Sequence, residues 1–436
     1  MNTSINKSKT VNFADVAHGT LIFDKGDKNE SLILELIDTK WVQRLRRISQ
    51  TGNTKFVYMF AEHSRFGHSL GVAFLASTIL KHLSHQRQNE IELYGEAIVA
   101  AAILHDVGHL APGSHLAENV WSRKSGIFRH ELLTQKIIEQ DPEISQILSK
   151  RDPNLCSMVN RILAEDPSLP SWTTSLISGG GWNVDRGNWS IVDSVMCAVT
   201  YGRYNVTALI DAFRLTDAGQ LVIQESRVDA LSHFFVARNS MYRQVYQHRV
   251  LQTADSMTKI LVERLRESDK ELSFRDEIMD KMLYSESYQD NLSLEELFQI
   301  DESWWNYHLA HWCYSSDDIV KNLALRLRDR KFLKTINLSL NKSGGLSKDS
   351  LAVVEQAKKE CLALDLDPNY YCLLIQEKDK HLGKSETPPK VLREDGSLID
   401  AVDVEPLIAI LSEKSKATKA WLAVPKEVKL SLGKNR

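Results

Sequence analysis

The sequence predicts a mainly α protein, an all-helical body followed by a small C-terminal α+β subdomain. Three observations lead there. From "SLILELIDTKWVQRLRRIS" to about residue 335, apolar residues recur three and four apart, the spacing of a helix with one buried face. The connections between these runs carry helix breakers, as in "HLAPGSH", "EDPSLPSW" and "SGGGWNVDRGNW". Beyond "LSLNKSGGLSKDS" the composition turns to small polar residues, and the runs that follow are short and rich in β-formers. The expected divisions are an N-terminal segment at 1–35 open to regulatory contact, a helical domain at 36–335, and an α+β subdomain at 336–436.

Taken in order, the first dozen residues are polar and expected to be loose. In "HSLGVAFLASTILKHL", His68, Val72, Leu75 and Ile79 share one helix face. "EAIVAAAIL" is apolar on all sides and reads as a central buried helix, ended by Pro112 and Gly113. Past the boundary, "NYYCLLIQ" reads as a strand, "REDGSLID" as a turn into another, "VEPLIAILSEKS" as a helix and "AWLAVP" as a last strand.

Composition excludes several function classes. With 54 basic against 57 acidic residues, the net charge of -3 argues against a general attraction to nucleic acid or an anionic membrane. Five scattered cysteines without a C-x-x-C pair fit a reducing cytoplasm. The N-terminus lacks a signal-peptide core, and the longest apolar run, Ala97 to Leu104, is too short to span a membrane. A cytoplasmic location is expected.

Chemistry concentrates where the burial pattern is strongest. His105 and Asp106 stand side by side at the end of the alanine-rich run, and a buried carboxylate must be paired or bind a metal. With His68 in "RFGHSLGV" and Asp193 in "NWSIVDSVM" they make a set of two imidazoles and two carboxylates. That mixture suits a divalent Mn, Mg, Fe, Ni or Zn ion and points to hydrolysis of a phosphate ester or anhydride. Taken singly, His68 has an ordinary reading as a core residue and Asp193 as a helix cap. "HDVGH" nearly matches the H-E-x-x-H of zinc peptidases, but its acid is the shorter Asp and Gly108 interrupts the helix, and "SGGGW" lacks the G-K-[ST] of a phosphate-binding loop.

The blocks "DTKWVQRLRRISQTG", "HSRFGHSLGVAFLA", "LHDVGHLAPGSH" and "ARNSMYRQVYQH" resemble the HD-domain deoxynucleoside triphosphate triphosphohydrolase family, over residues 15 to 335 and without the sterile-alpha-motif domain of mammalian members. The resemblance implies an all-helical HD-domain phosphohydrolase core with His68, His105, Asp106 and Asp193 as metal ligands. It implies that His109 and His130 line the phosphates and that one of the histidines there, His115 included, activates water or protonates the leaving group. It further implies that Arg65 and Arg238 contact the triphosphate and that Tyr246 and Gln247 flank the sugar.

Family members commonly place a Lys, a Tyr and an Asp one, four and eight residues after the metal Asp. Counted from Asp193 those places hold Ser194, Cys197 and Tyr201, so Tyr201 is the candidate to replace the missing Asp at the sugar. Asp38, Gln43 and Arg46 match a site for an activating nucleotide between subunits, while the facing D-P-[IV]-H-G segment is here "DVAHG". The expectation is a nucleotide-regulated homo-oligomer (dimer, tetramer or hexamer) that hydrolyses dNTPs to deoxynucleoside and tripolyphosphate, in dNTP-pool control or antiphage defence. The rival readings are another nucleotide substrate (a monophosphate, a cyclic or oligonucleotide, single-stranded DNA) and a nucleotide sensor with vestigial catalysis.

Overall fold

The computed structural model describes residues 9–122, 129–179, 181–284, 291–378, 388–412 and 417–434. Residues 1–8, most of the expected loose N-terminus, and Gly180 of the glycine-rich loop lie outside the described residues. The chain opens with a hairpin that was not expected, β1 (Thr10–Asp15) and β2 (Gly19–Asp24). Its pattern is the two-residue alternation of a half-buried strand, with Leu21 and Phe23 buried between exposed neighbours.

Twelve helices then build most of the body: α1 (Lys28–Ile37), α2 (Lys40–Arg44), α3 (Arg65–Leu104), α4 (His115–Trp121), α5 (His130–Gln140), α6 (Pro142–Arg151), α7 (Leu155–Leu163), α8 (Ser171–Ile177), α9 (Val184–Met196), α10 (Val206–Ala212), α11 (Val228–Met241) and α12 (Arg249–Glu267). Further helices include Leu294–Gln299, Glu302–Trp312 and Asp318–Arg328. The axis of the body is α3, against which α1, α7, α8 and α9 pack. It is two helices in line, broken at Arg87 (φ -145, ψ 64). His68, Val72, Leu75 and Ile79 form its buried face, and Ala97–Leu104 is buried all round. No helix among the described residues is long and apolar enough to cross a membrane.

The expected end of this helix at Pro112 and Gly113 is corrected: α3 stops at Leu104, and His105 to Gly108 form a turn. Thr134 of α5 holds that turn, its Oγ1 donating to the His105 carbonyl (3.0 Å) and accepting from Gly108 N (3.0 Å). A side chain at Gly108 would meet the His130 carbonyl at 2.3 Å, so only glycine lets α5 approach this closely.

The C-terminal region is not a separate appendage. Strands β3 (Phe213–Leu215) and β4 (Leu221–Gln224) of the body share a sheet with β7 (Lys390–Leu392) and β8 (Leu398–Ile399), and β4 pairs in parallel with β7. A second sheet orders β5 (Lys334–Leu338), β9 (Ala417–Val424) and β6 (Leu373–Lys378), with α12 against it. One hydrophobic core includes residues of both regions, from Leu21 to Val428. A helix at Pro406–Ser412 falls where it was expected, and residues 413–416 beyond it lie outside the described residues.

Candidate active site

The first turn of α3 supplies Arg65 and His68, the turn after α3 supplies His105, Asp106 and His109, and the first turn of α9 supplies Asp185. Donor atoms of His68, His105 and Asp185 lie within 4.8 Å of one another. His68 Nε2 is 3.1 Å from Asp185 Oδ1 and 3.7 Å from Asp106 Oδ2, and His105 Nε2 is 3.4 Å from Asp106 Oδ1 and 3.9 Å from Asp185 Oδ1. His68, His105 and Asp185 therefore form one three-donor group, with Asp106 at its border turning a different oxygen to each imidazole, and the second carboxylate is Asp185 and not Asp193.

The assignment of Asp193 to this group is corrected, and the reason is helix geometry. Eight residues advance an α-helix by about 12 Å, so Asp185 and Asp193 cannot meet at one ion. Asp193 sits in the last turn of α9, where Oδ1 is 2.8 Å from His63 Nε2 and Oδ2 accepts from the Tyr246 hydroxyl at 2.5 Å. It is not a helix cap either, because Asn183 caps α9. Counted from Asp185, the places one, four and eight residues on hold Arg186, Trp189 and Asp193, a base, an aromatic and an acid. That run was the signal that the sequence reading passed over. His63, in "EHSRFGH", was also missed.

The donor set fits a divalent cation. His68 Nδ1 bonds Asn188 Oδ1 (2.8 Å) and His105 Nδ1 bonds the Ala102 carbonyl (2.8 Å), so each ring places a proton on Nδ1 and presents Nε2 to the group. His105 Nε2 is buried and makes no hydrogen bond among the described residues. Burial would raise the Asp106 carboxyl, but Arg65, His105 and His109 hold it well below the usual carboxylate range. Burial acts the same way on Asp185, and the His68 bond with the His105 charge reverses it.

Beside this group lies a cavity of about 730 Å³ lined by Arg65, Asp106, His109, His130, Trp189 and Tyr246 among others. Arg65 Nη1 donates to Asp106 Oδ2 at 2.5 Å. His109 Nε2 is 3.2 Å from Asp106 Oδ1, while its buried Nδ1 has no hydrogen-bond partner among the described residues. Burial, with Arg65 and His130 nearby, pushes His109 well below its ordinary value. His130 is half-buried, and although burial lowers it, Glu118, 2.6 Å from its Nδ1, together with Glu131 and Asp106, raises it above its ordinary value.

Other expected residues divide. Gln247 lines the cavity next to Tyr246, and a wide π turn over Tyr242–Tyr246 sets this wall. His115 lines the mouth, its side chain 70% exposed and 3.6 Å from Glu118. Arg238 is buried with its guanidinium 4.9 Å from the centre of the Tyr242 ring, which lines the cavity, and Arg238 itself is not among the lining residues. Tyr201 is corrected: it is 43% exposed in the turn after α9 and does not line the cavity. Ser194 bonds the Val199 carbonyl (2.8 Å) and takes no part in the wall. Gln50, which the sequence reading did not select, lines the cavity, and its buried Oε1 accepts no hydrogen bond among the described residues. Strand β6 adds Leu374 to Glu377, so the C-terminal region supplies part of the wall.

Asp38, Gln43 and Arg46 gather on the surface at the junction of α1 and α2. Gln43 Nε2 donates to the Ile37 carbonyl (2.8 Å), its Oε1 accepts from Arg46 Nε (2.9 Å), and Arg46 lies 3.5 Å over the ring of Phe66, next to Arg65.

Comparison with known proteins supplies the lineage. Residues 65–161 match the HD domain and residues 205–291 the HD associated region. The chain is 30% identical over 351 residues to the uncharacterized protein YwfO of Bacillus subtilis, covering 80% of this chain and 77% of that one. It is 27% identical over 270 residues to the deoxynucleoside triphosphate triphosphohydrolase SAMHD1 of Gallus gallus, and 26% over 261 residues to that of Homo sapiens, spanning 42% and 41% of those proteins. A solved phosphohydrolase from Bacteroides thetaiotaomicron shares the fold over 96% of this chain and all of that one, with a TM-score of 0.78 at 23% identity. The chain thus belongs to the HD-domain phosphohydrolases, in a branch whose relatives include the SAMHD1 deoxynucleoside triphosphate triphosphohydrolases.

Proposed function

We propose that the protein hydrolyses deoxynucleoside triphosphates to deoxynucleoside and tripolyphosphate with a divalent ion held by His68, His105, Asp106 and Asp185. The observation that carries this is the grouping of His68, His105 and Asp185, with Asp106 3.7 Å from His68 and 3.4 Å from His105, beside a cavity whose wall holds Arg65, His109 and His130. A divalent ion held by these residues would supply Lewis-acid polarisation of a phosphoryl group and lower the pKa of bound water. Mixed nitrogen and oxygen donors suit Mn, Mg, Fe, Ni or Zn.

The side chains divide the remaining work. Arg65 and His130, whose carboxylate partners favour its protonated form, bind the phosphates and stabilise the charge that grows on them, and Arg238 acts from behind through Tyr242. In the reaction a water oxygen bonds to the α-phosphorus as the bond from phosphorus to the 5'-oxygen breaks. His109, neutral with a free Nδ1 lone pair, accepts the proton of the water, and His130 gives its proton to the 5'-oxygen. The two rings reset by exchanging the proton through solvent. Tyr246, Gln247 and Asp193 pack on the sugar, where the Asp193 carboxylate suits a 3'-hydroxyl donor. His115, at the mouth, is open to outer phosphate oxygens.

Regulation by a nucleotide in a homo-oligomer belongs to the same proposal. Asp38, Gln43 and Arg46 present an acid, an amide and a base together on one exposed surface, and Arg46 stacks on the residue beside Arg65.

The test is incubation of the protein with Mn or Mg and each dNTP, singly and in pairs, with released phosphates resolved by ion chromatography. A His105→Ala, Asp106→Ala protein is the control. Tripolyphosphate from the unaltered protein alone is expected, and dependence on a second nucleotide would expose the regulatory surface. Pyrophosphate or monophosphate as the product, or none from any pair, would overturn the reading.

A further inference from the structure

The N-terminal hairpin lies outside the matched HD domain, yet it reaches the group around His68 through a chain of hydrogen bonds. His68 Nδ1 is 2.8 Å from Asn188 Oδ1, and Asn188 Nδ2 is 3.0 Å from Nε2 of His18, in the turn between β1 and β2. Asn188 is wholly buried, and His18 is half-buried. Donor and acceptor directions agree only one way. The amide nitrogen of Asn188 must donate, so His18 Nε2 accepts, and the amide oxygen must accept, so His68 holds its proton on Nδ1.

We propose that His18 is a positioning residue for the metal group: by fixing the Asn188 amide it sets the His68 ring so that Nε2 faces Asp106 and Asp185. The inference rests on the reading of His68 as a metal ligand.

Three further features support a built relay. Asp15 Oδ1 accepts from the backbone N–H groups of Ala17 (2.8 Å) and His18 (2.7 Å), which fixes the turn that carries the ring. Gly19, with φ +77, lets the chain turn back into β2 directly after it. The hairpin is anchored to α3, the helix of His68: Phe23 and His18 both pack on Phe74, and Glu30 of α1 joins Asp24 N (2.6 Å) to Ser77 (2.7 Å) and Lys81 (2.6 Å). The neighbouring helix leaves the space that the amide needs, because a Cβ at Gly71 would lie 2.1 Å from Asn188 Nδ2. Aspartate at 188 would satisfy His68 and lose the donor to His18, which accounts for an amide at this place.

The test uses the full chain with Mn titrated calorimetrically, and reads the downfield imidazole N–H proton of His68 by NMR before any metal is added. His18→Phe keeps the ring against Phe74 and removes the acceptor, whereas His18→Gln restores one at the same reach. Mn affinity is expected to fall about tenfold in His18→Phe and about ten- to a hundredfold in Asn188→Ala, and to recover in His18→Gln. The slowly exchanging His68 N–H signal should be lost in Asn188→Ala and exchange faster in His18→Phe. Gly71→Ala, which displaces the amide without touching either histidine, should weaken Mn binding likewise. Equal Mn affinity in wild type, His18→Phe and Gly71→Ala would overturn the proposal, as would equal losses in His18→Phe and His18→Gln. If Asn188→Ala fails to fold, the His18 pair decides. Absence of dNTP hydrolysis with Mn binding intact would sink the substrate reading and leave this inference standing. If the wild type binds no divalent ion, an unchanged His68 N–H signal in His18→Phe overturns it.

Discussion

His109 and His130 stack face to face, ring centroids 3.7 Å apart and planes 21° apart, while their surroundings drive their basicity in opposite directions. Desolvation lowers both rings, so the difference comes from their partners. His109 faces Arg65 and donates to Asp106, and His130 is bonded to Glu118. Two groups pushed apart in this way are suited to the roles of base and acid. Glu118→Gln removes the carboxylate that holds the proton on His130. Steady-state kinetics with a dNTP should show kcat lower by about 10- to 100-fold with KM changed little. An unchanged kcat would exclude His130 as the proton donor.

On the proposed reading, the two aspartates of α9 divide binding of the ion from binding of the sugar. Asp185→Ala should lose the divalent ion, measured by mass spectrometry of metal content after desalting. Asp193→Ala should keep it and raise KM by about tenfold, the worth of a hydrogen bond to a charged group. The reverse pattern would restore Asp193 as the ligand.

Arg44 is a structural hub beneath the site. Its buried guanidinium donates to the carbonyls of His109 (2.8 Å), Phe298 (2.8 Å), Ile300 (2.6 Å) and Leu297 (3.3 Å), and burial brings its pKa down to about 9. Arg44→Met leaves these carbonyls without their donor. Urea unfolding should show a loss of about 3 to 5 kcal/mol, as for other broken buried charge networks. A loss below about 1 kcal/mol would mean that the loop ends find other partners.

Asp255 of α12 lines the cavity and accepts from Asn53 Nδ2 at 2.9 Å; burial, with Glu377 adding to it, pushes its carboxyl up to about 7. The folded chain therefore holds this proton more tightly than the unfolded chain. The stability that results is full below about pH 4 and is lost as the pH rises through about 7. Asp255→Asn removes that dependence. Its melting temperature relative to wild type should rise by several degrees between about pH 5 and about pH 8, and a constant difference would show that the carboxyl titrates normally.

Much of the fold was legible because helices announce themselves locally. The face of His68, Val72, Leu75 and Ile79 and the all-round burial of Ala97–Leu104 follow from periodicity alone. The short strands β3, β4 and β7 were not, since three or four residues carry too little alternation, and their pairing joins segments more than 160 residues apart. The hairpin at Thr10–Asp24 carries its alternation over two short six-residue strands, at Val11 and Phe13 and at Leu21 and Phe23.

At the site, residue types and local spacing determined that His68, His105 and Asp106 would meet with a second acid, because an apolar helix end tolerates that pair only in company. Which acid, and what surrounds it, was decided by tertiary structure. Asp185 and Asp193 are equally good candidates along the chain, and only the packing of α9 on α3 puts the first turn of α9, and not the last, opposite His68. The same packing brings Asn188 to His68 and His18 to Asn188 across 120 and 170 residues. Sequence carries what a residue can do chemically; the meeting of residues far apart in the chain depends on which helix faces bury each other, and that is a property of the whole core.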